Sequence, residues 1–384
     1  MDLKQTIAER FGAMEAELRE ISQWMYENPE LAYEERESSA RLVQFLRDQG
    51  MDVEYPSFGL ETAFAARAGD DGPEVIICAE YDALPEVGHA CGHNIIATAA
   101  CGAGAALGAV AAELGIRVRV QGTPAEEAYG GKVDLIKAGA FAGGALSIMV
   151  HPSTADMVDK PFLAVAHIDV DFYGVESHAA FAPELGVNAL DAAVQAYVNV
   201  STMRQQLLAT DKVHGVITNG GGAPNVIPPH TSMAWYARAA TKTRLDELLE
   251  RMADQFEGAA TATGCRVEIS PRGHTYTDMV VDPLLADVYA ANSDALGRPM
   301  GRSAELDLLK TGSTDMANVS HELPSLHPML DIHCAPHVNH QRDFAAATIL
   351  EPGNKAIRDG ALAMAWTVVD VATDDLWNKL GANG

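Results

Sequence analysis

Basic residues are scarce in this chain. Lys and Arg number 27 against 53 Asp and Glu, which gives a formal net charge of −26. This balance argues against a nucleic-acid partner, because a phosphate backbone has to be met by Lys and Arg. It also implies that a substrate carboxylate would need a local basic residue or a metal ion beside it.

Long apolar runs are also missing. The first twenty residues hold no apolar stretch of the signal-peptide kind. The most apolar window, Ile95–Ala112, is mostly Ala and Gly and follows a His/Cys cluster, so we interpret it as a buried helix and not as a membrane span. The five cysteines are odd in number and irregularly spaced, unlike a disulfide framework. We therefore expect a cytoplasmic protein with no membrane partner.

The 384 residues are enough for two domains. In the first part of the chain, short apolar runs typical of buried strands alternate with predicted helices. This order predicts an α/β fold with a mostly parallel sheet and helices on both faces. The predicted elements are a helix over Ile7–Met25, a strand over Glu74–Glu80, a helix over Ile95–Leu114 and strands over Val118–Gly122 and Ala145–His151.

The pattern changes at about residue 162, where polar and apolar residues begin to alternate as in a half-exposed strand. The order βαββαβ that follows is that of a ferredoxin-like unit. We therefore predict a discontinuous domain of residues 1–161 and 280–384, interrupted by a small domain of residues 162–279. The predicted elements of the insertion are strand Leu163–Tyr173, helix Val187–Ala209, strands Val213–Thr218 and Thr231–Arg238, helix Thr243–Thr263 with Thr243 as N-cap and Gly264 as the C′ residue, and strand Cys265–Ser270.

Residue types that bind metals follow the predicted strands, at the sheet edge where ligands bind in open α/β folds. Cys91 and His93 lie two residues apart and are flanked by glycine, and both are usual ligands of zinc. Asp82 just precedes them and could orient a ligating imidazole. Each feature alone also has an ordinary structural explanation, such as a buried Cys or an Asp in a turn.

Two further groups complete this pattern. Glu126 and Glu127 follow a predicted strand, so one could bind metal while the other takes a proton from water. His151 ends another predicted strand. Three histidines lie within the segment Asp331–Phe344: His333, His337 and His340. A single His is more often structural. Several histidines in a chain that also contains Cys91 favour metal ligation. A phosphate loop, a zinc-deaminase signature and a nucleophile elbow are all missing.

Eight segments follow one another in the order of a known family and cover nearly the whole chain: Asn28–Leu31, Glu80–Asn94, Pro124–Glu127, Val150–Pro152, Ser177–Ala192, Gly220–Pro228, Gly312–Ser320 and Asn339–Phe344. They resemble the co-catalytic metallopeptidases that include aminoacylase and carboxypeptidase G. The sequence is most similar to the amidohydrolase branch, with hippurate hydrolase, auxin-conjugate hydrolases and p-aminobenzoyl-glutamate hydrolase. Within that branch it looks closest to the dipeptidase-like subgroup.

The resemblance implies a zinc-peptidase-like catalytic domain that hydrolyses an amide bond of a small substrate with two divalent metal ions, Zn, Mn or Co. The substrate would be an N-acyl amino acid, a dipeptide or an aminobenzoyl-glutamate-like amide. Glu126 takes the place of the general base, and Asn94, where Asp is commoner, is not a ligand. His340 is preferred to His337 because it stands four residues before an aromatic residue. The implied ligands are Cys91, His93, Glu127, His151 and His340.

The resemblance also gives the inserted domain a role as a lid and dimerisation domain of a homodimer. Its His178 and Asn225 would reach a neighbouring active site to bind substrate or stabilise an oxyanion. The loop Gly312-Ser313-Thr314 would line the substrate pocket. Two alternatives remain open: hydrolysis of an aryl amide, an amine or a carbamate, and a catalytically degenerate binding protein.

Overall fold

The computed structural model describes residues 2–381. The chain forms two compact units: the first contains the residues up to Pro161, Met279–Ala304 and the chain from Thr314 onward, and the second contains Phe162–Asp278 and Glu305–Ser313. The domain predicted over residues 162–279 did not include Glu305–Ser313. Within the described part of the chain, no helix has the length and apolar character needed to cross a membrane.

The helices are, in chain order, α1 (Leu3–Glu27), α2 (Arg36–Asp48), α3 (His93–Gly108), α4 (Ala111–Leu114), α5 (Gly131–Lys137), α6 (Ala189–Met203), α7 (Lys242–Thr263), α8 (Pro283–Ala295), α9 (Met316–Ser320), α10 (Arg342–Ala347) and α11 (Glu351–Thr373). The strands are β1 (Asp52–Glu54), β2 (Ala65–Ala68), β3 (Glu74–Ala79), β4 (Arg117–Gly122), β5 (Gly144–Ile148), β6 (His151–Ser153), β7 (Ala164–Tyr173), β8 (Ser177–His178), β9 (Lys212–Asn219), β10 (Val226–Ile227), β11 (His230–Ala239), β12 (Arg266–Pro271), β13 (Ser325–Leu326) and β14 (Met329–Asp331).

The main sheet of the first unit has the strand order β1-β2-β4-β3-β5-β13. β3 pairs in parallel with both β4 and β5, and β13 pairs in parallel with β5. Only the β1 and β2 edge is antiparallel. The predicted mostly parallel sheet is therefore confirmed.

Both faces of this sheet are covered. Side chains of a strand point alternately to its two faces, so a strand buried on both sides is a continuous apolar run. In β3, Val75 and Ile77 join the core beneath α1, α3 and α11, whereas Ile76 and Cys78 join a smaller core beneath α5 and α9. α3 packs closely because it is rich in Ala and Gly: a Cβ on Gly104 would lie 2.0 Å from Val120 Cγ2.

Two element predictions in the first unit were wrong. Ala145–His151 is not one strand, because β5 leaves the main sheet after Ile148 and the chain then pairs as β6 with β14. His151 therefore begins a strand. The predicted helix Ile95–Leu114 begins earlier, at His93, and is interrupted after Gly108, where the N–H of Val110 bonds to the Leu107 carbonyl in a tight turn.

The second unit has a four-stranded antiparallel sheet in the order β12-β7-β11-β9. Its chain order, β7-α6-β9-β11-α7-β12, confirms the βαββαβ prediction, and the short pair β8 and β10 is added to it. β7 alternates between buried and partly exposed residues as predicted. α6 and α7 contribute to the core of this unit, whose larger members are Phe172, Trp235, Met252 and Phe256.

The ends of α7 differ in how well they were predicted. Gly264 ends the helix in the left-handed conformation with φ 75°, as expected of a C′ glycine. The predicted N-cap, Thr243, was wrong by two residues. Thr241 caps the helix because its side-chain oxygen accepts the N–H of Arg244 at 3.1 Å. α6 is also shorter than predicted, beginning at Ala189 and ending at Met203.

Candidate metal centre

Four carboxylates of the candidate site follow neighbouring parallel strands of the first unit. β3 leads into Glu80 and Asp82, and the adjacent β4 leads into Glu126 and Glu127. Because parallel strands end at the same edge, these carboxylates meet at one end of the sheet. They form the acidic half of the candidate site.

Gly92 brings the Cys and His side chains together. Its φ is 80°, a conformation that glycine adopts without strain, and a Cβ here would lie 2.2 Å from Pro152 Cγ. The loop carrying Cys91 therefore packs directly on β6, and Cys91 Sγ lies 3.4 Å from His151 Nε2. Ligand atoms of Cys91, His93 and His151 all lie within 4.8 Å of one another.

A second set of ligand atoms overlaps the first through Cys91. Cys91, Glu127 and His340 also offer atoms within 4.8 Å of one another. The His340 N–H donates to the Ala90 carbonyl at 2.8 Å, which fixes this histidine beside the Cys91 loop. His337, the alternative considered from sequence, instead lies 3.4 Å from Asp343.

Asp82 links the two strand ends. Its Oδ1 is 2.8 Å from His93 Nδ1, and its Oδ2 accepts the N–H of Glu127 at 2.9 Å. Burial works against both charged forms, but the contact raises the pKa of His93 and lowers the pKa of Asp82. Bonding at Nδ1 leaves His93 Nε2 to face the centre.

Glu126 is buried among other acids. It forms one close group with His93 and Glu127, and another with Glu80 and Asp315. Burial, together with the charges of Glu127, Glu80 and Asp315, raises the pKa of the Glu126 carboxyl well above its ordinary value. A raised pKa makes this carboxylate a stronger proton acceptor than an exposed glutamate.

Sequence reasoning assigned no role to a buried ion triad at this edge. The Lys132 ammonium contacts the carboxylates of Glu80 and Asp315, the latter at 2.6 Å, and all three side chains are buried. The Lys132 N–H also donates to Asp315 at 2.9 Å. Lys132 was missed because a lysine after two glycines carries no motif signal, whereas Glu80 and Asp315 each lie within the segments that carry the family resemblance.

Two other neighbours of the centre were also missed. The buried His327 lies with its ring centre 5.5 Å from that of His151. Asn339 Nδ2 donates to Cys91 Sγ at 3.7 Å. The one local signal at His327 is that it directly precedes a proline, Pro328. His333 was counted with the cluster, but it is exposed and lies 3.1 Å from Asp331.

The donor atoms fit a metal centre. Within residues 2–381, three buried atoms of this site have no hydrogen-bond partner: His93 Nε2, Glu80 Oε2 and Glu127 Oε1. The two carboxylate oxygens lie 3.4 and 3.7 Å from the imidazole nitrogen. Buried polar atoms are normally satisfied, so this convergence calls for a bound cation. Cys, His and carboxylate together are a donor set suited to zinc and related metals.

The other predicted residues divide between the units. In the second unit, His178 and Asn225 lie on the exposed β8 and β10 segment, where the Ala179 N–H donates to the Asn225 carbonyl. Ser313 accepts a hydrogen bond from Arg238 at 2.6 Å, and the Gly312 carbonyl accepts the N–H of Leu163.

Thr314 belongs to the first unit, where it is buried and its hydroxyl accepts the N–H of Met316 at the start of α9. Arg238, whose pKa is lowered by burial, was not singled out from sequence. It is a basic side chain beside a predicted substrate-binding residue. Nothing in the local sequence pattern distinguishes it from any other strand arginine.

Comparison with known proteins identifies the family. Residues 164–263 match the model of a peptidase dimerisation domain. The chain is 40% identical to the Xaa-Arg dipeptidase of Mus musculus over 96% of this chain and 89% of that protein. It is 31% identical to a p-aminobenzoyl-glutamate hydrolase polypeptide of Escherichia coli over 65% of this chain and 56% of that protein.

A crystal structure gives the same fold. A dinuclear metal-binding peptidase of the M20 family from Bacillus subtilis superimposes with a TM-score of 0.72 and 21% identity, covering 94% of this chain and 99% of that one. The expected resemblance, fold class and amide-hydrolase activity are thereby confirmed. The chain belongs to the M20 peptidase family and is a metal-dependent hydrolase of amide bonds.

Proposed function

We propose that this enzyme is a dipeptidase that hydrolyses the peptide bond before a C-terminal basic residue such as arginine. The hydrolytic activity in this proposal rests on one observation, which is the convergence of the cysteine, histidine and glutamate side chains around buried Glu126. The substrate class is supported by the similarity to the mouse Xaa-Arg dipeptidase. A net charge of −26 favours the approach of a cationic side chain.

We infer that two divalent ions, Zn, Mn or Co, are held by Cys91, His93, Glu127, His151 and His340. Burial and the nearby Glu127 charge raise the pKa of the Cys91 thiol, so a cation beside it is needed to keep it as a thiolate. When bound, such ions polarise the scissile carbonyl and lower the pKa of water. The two overlapping groups of donor atoms that share Cys91 support two ions.

The proposed general base is Glu126. It takes a proton from the attacking water and then delivers a proton to the amine that leaves, so the products are a carboxylate and an amino acid. Burial and neighbouring carboxylates raise the pKa of Glu126, which makes its carboxylate a stronger proton acceptor. Asp82 assists by holding His93 in the tautomer whose Nε2 faces the centre.

Residues of the second unit would bind substrate and stabilise the oxyanion. The Nδ1 atom of His178 accepts the N–H groups of Ala180 and Phe181 at 3.2 and 3.1 Å. Because Nδ1 accepts these bonds, Nε2 is the ring nitrogen that can donate to a developing oxyanion. We propose that His178 and Asn225 act in the active site of a neighbouring protomer, and that Gly312, Ser313 and Thr314 line the substrate pocket.

The second unit would also join two copies of the chain. β9 is an edge strand of its sheet, and Val216 on this strand is 59% exposed. Val194 and Val198 of α6 are also exposed. An apolar edge strand is a ready surface for pairing with another strand. Together with the dimerisation-domain match, this supports a homodimer through the second unit. We also infer a cytoplasmic location, which the five free thiols support.

The Glu126→Gln variant tests the proposed function. We expect it to keep the metal content of the wild type and to lose about a hundredfold to ten-thousandfold of kcat, because only the proton acceptor is removed. The measurement is arginine release from a panel of Xaa-Arg dipeptides, beside elemental analysis of the purified proteins. N-acyl amino acids and N-carbamoyl amino acids complete the panel.

Glu113→Gln is the control, since Glu113 is exposed on α4. It should match the wild type in both measurements. Near-native activity of Glu126→Gln would remove Glu126 from its role. A wild type that binds metal and cleaves the other amides but no Xaa-Arg dipeptide would contradict the substrate class.

Lys132→Met tests the buried triad. Removing the ammonium leaves the Glu80 and Asp315 carboxylates buried without their cation, so we expect the free energy of unfolding to fall by about 3–5 kcal/mol. Urea denaturation of the holoprotein measures it. Lys137→Met, on the exposed side of the same helix, should change stability by less than about 1 kcal/mol. Equal stability of the two variants would show that the triad contributes nothing.

Val216→Lys tests the dimer. A charge on the edge strand should prevent pairing and shift the molar mass from dimer to monomer in light scattering after size exclusion. Val280→Lys, at an exposed site of the first unit, should leave the dimer intact. A Val216→Lys protein that still runs as a dimer would place the interface elsewhere.

A further inference from the structure

The loop that carries Glu126 and Glu127 begins with an unfavourable backbone conformation. Ala125, the residue before them, has φ 63° and is buried. This left-handed conformation is disfavoured for a residue with a Cβ, and surrounding contacts have to hold it. The direction in which Glu126 and Glu127 leave β4 depends on this bend.

The Ala125 carbonyl accepts the N–H of Gly130 at 2.9 Å, and Glu35 supplies a contact to the Ala125 N–H from a distant part of the chain. Its Oε1 accepts the N–H of Ala125 at 2.9 Å and the N–H of Tyr33 at 2.9 Å. Its Oε2 accepts the Thr62 hydroxyl at 2.9 Å, and the whole side chain is buried. All three donors are thus directed at one carboxylate, which fixes its position.

Asp82 holds the other side of the same bend. Its Oδ2 accepts the N–H of Glu127, two residues after the N–H that Glu35 accepts. Two buried carboxylates therefore fix the backbone on either side of Glu126. Only Asp82 was recognised from its position beside the predicted ligands.

The role of Glu35 is not simply to cap the helix that it precedes. Glu35 makes no side-chain hydrogen bond to the first turn of α2. Those N–H groups are served by Glu30, which accepts Glu37 N–H at 3.1 Å and Ser38 N–H at 2.7 Å. Capping of α2 and support of the Ala125 bend are thus separate tasks of two different glutamates.

We propose that Glu35 is a positioning residue for the Glu126–Glu127 pair, which it serves by holding Ala125 in its left-handed conformation. This inference rests on the proposed function for the roles of Glu126 and Glu127. It follows that an acceptor, and not a charge, is required at position 35. It also follows that glycine at position 125 would need less support.

The test compares Glu35→Ala, Glu35→Gln and the double variant Glu35→Ala/Ala125→Gly. Each protein is stripped of metal and titrated with Zn²⁺ by calorimetry, and the zinc-loaded proteins are assayed for kcat and KM with an Xaa-Arg dipeptide. Glu35→Ala should weaken Zn²⁺ binding about tenfold, through misplaced Glu127, and lower kcat about a hundredfold with little change in KM. Glu35→Gln, whose carbonyl oxygen still accepts the N–H groups, should remain within about threefold of the wild type.

Recovery of activity and Zn²⁺ affinity in the double variant is the most decisive part of this test. Ala125→Gly in the Glu35→Ala background should recover about tenfold of the lost kcat and most of the Zn²⁺ affinity, because glycine adopts this conformation without strain. Glu30→Ala is the matched control: it should lower Tm through the loss of α2 capping but leave Zn²⁺ affinity and kcat unchanged. If Glu35→Ala does not fold, Glu35→Asp replaces it, since its shorter carboxylate cannot keep the Ala125 contact.

Three results would overturn the proposal. They are a Glu35→Ala protein that behaves like Glu30→Ala, a Glu35→Gln protein as impaired as Glu35→Ala, and no recovery in the double variant. If the wild type cleaves no Xaa-Arg dipeptide, the substrate class fails, while the Zn²⁺ titrations still decide the role of Glu35.

Discussion

Crowding of negative charge at one end of the main sheet is the constraint on which the rest of this structure depends. The carboxylates of Glu80, Asp82, Glu126 and Asp315 are buried there, and Glu127 is largely so. Buried carboxylates repel one another and lose their hydration, so the arrangement is stable only with cations among them. The first unit provides one such cation itself, the Lys132 ammonium between Glu80 and Asp315.

The remaining acids are arranged to receive cations from outside the chain. Asp82 is satisfied by His93 and by the Glu127 N–H, whereas the free oxygens of Glu80 and Glu127 face the unbonded nitrogen of His93. The same arrangement that would destabilise an empty centre therefore favours metal binding, and its carboxylates raise the pKa of Glu126, the proposed general base. Support by Glu35 completes the arrangement by fixing the backbone from which Glu126 and Glu127 project.

How much the sequence could predict depended on the range of the interactions. A short apolar run was enough for β3 and polar–apolar alternation for β7, and the order of elements was enough for the α/β class and the inserted βαββαβ unit. The candidate ligands were singled out because they lie in the short motifs that carry the family resemblance. The error at Ala145–His151 arose because a run of apolar residues does not reveal that the chain changes from one sheet to another within it. Lys132 and Glu35 were missed because their roles come from contacts 183 and 90 residues away, for which a single sequence has no periodic signal.

The central claim is that the acidic end of the sheet is a two-metal centre. The most direct measurement is a calorimetric titration of the metal-stripped protein with Zn²⁺, repeated with Cys91→Ala. Cys91 is chosen because it belongs both to the group with His93 and His151 and to the group with Glu127 and His340. The account predicts two Zn²⁺ ions per chain for the wild type and a loss of tight binding in the variant. A wild type that binds no Zn²⁺, or a Cys91→Ala variant that binds two ions with unchanged affinity, would contradict it.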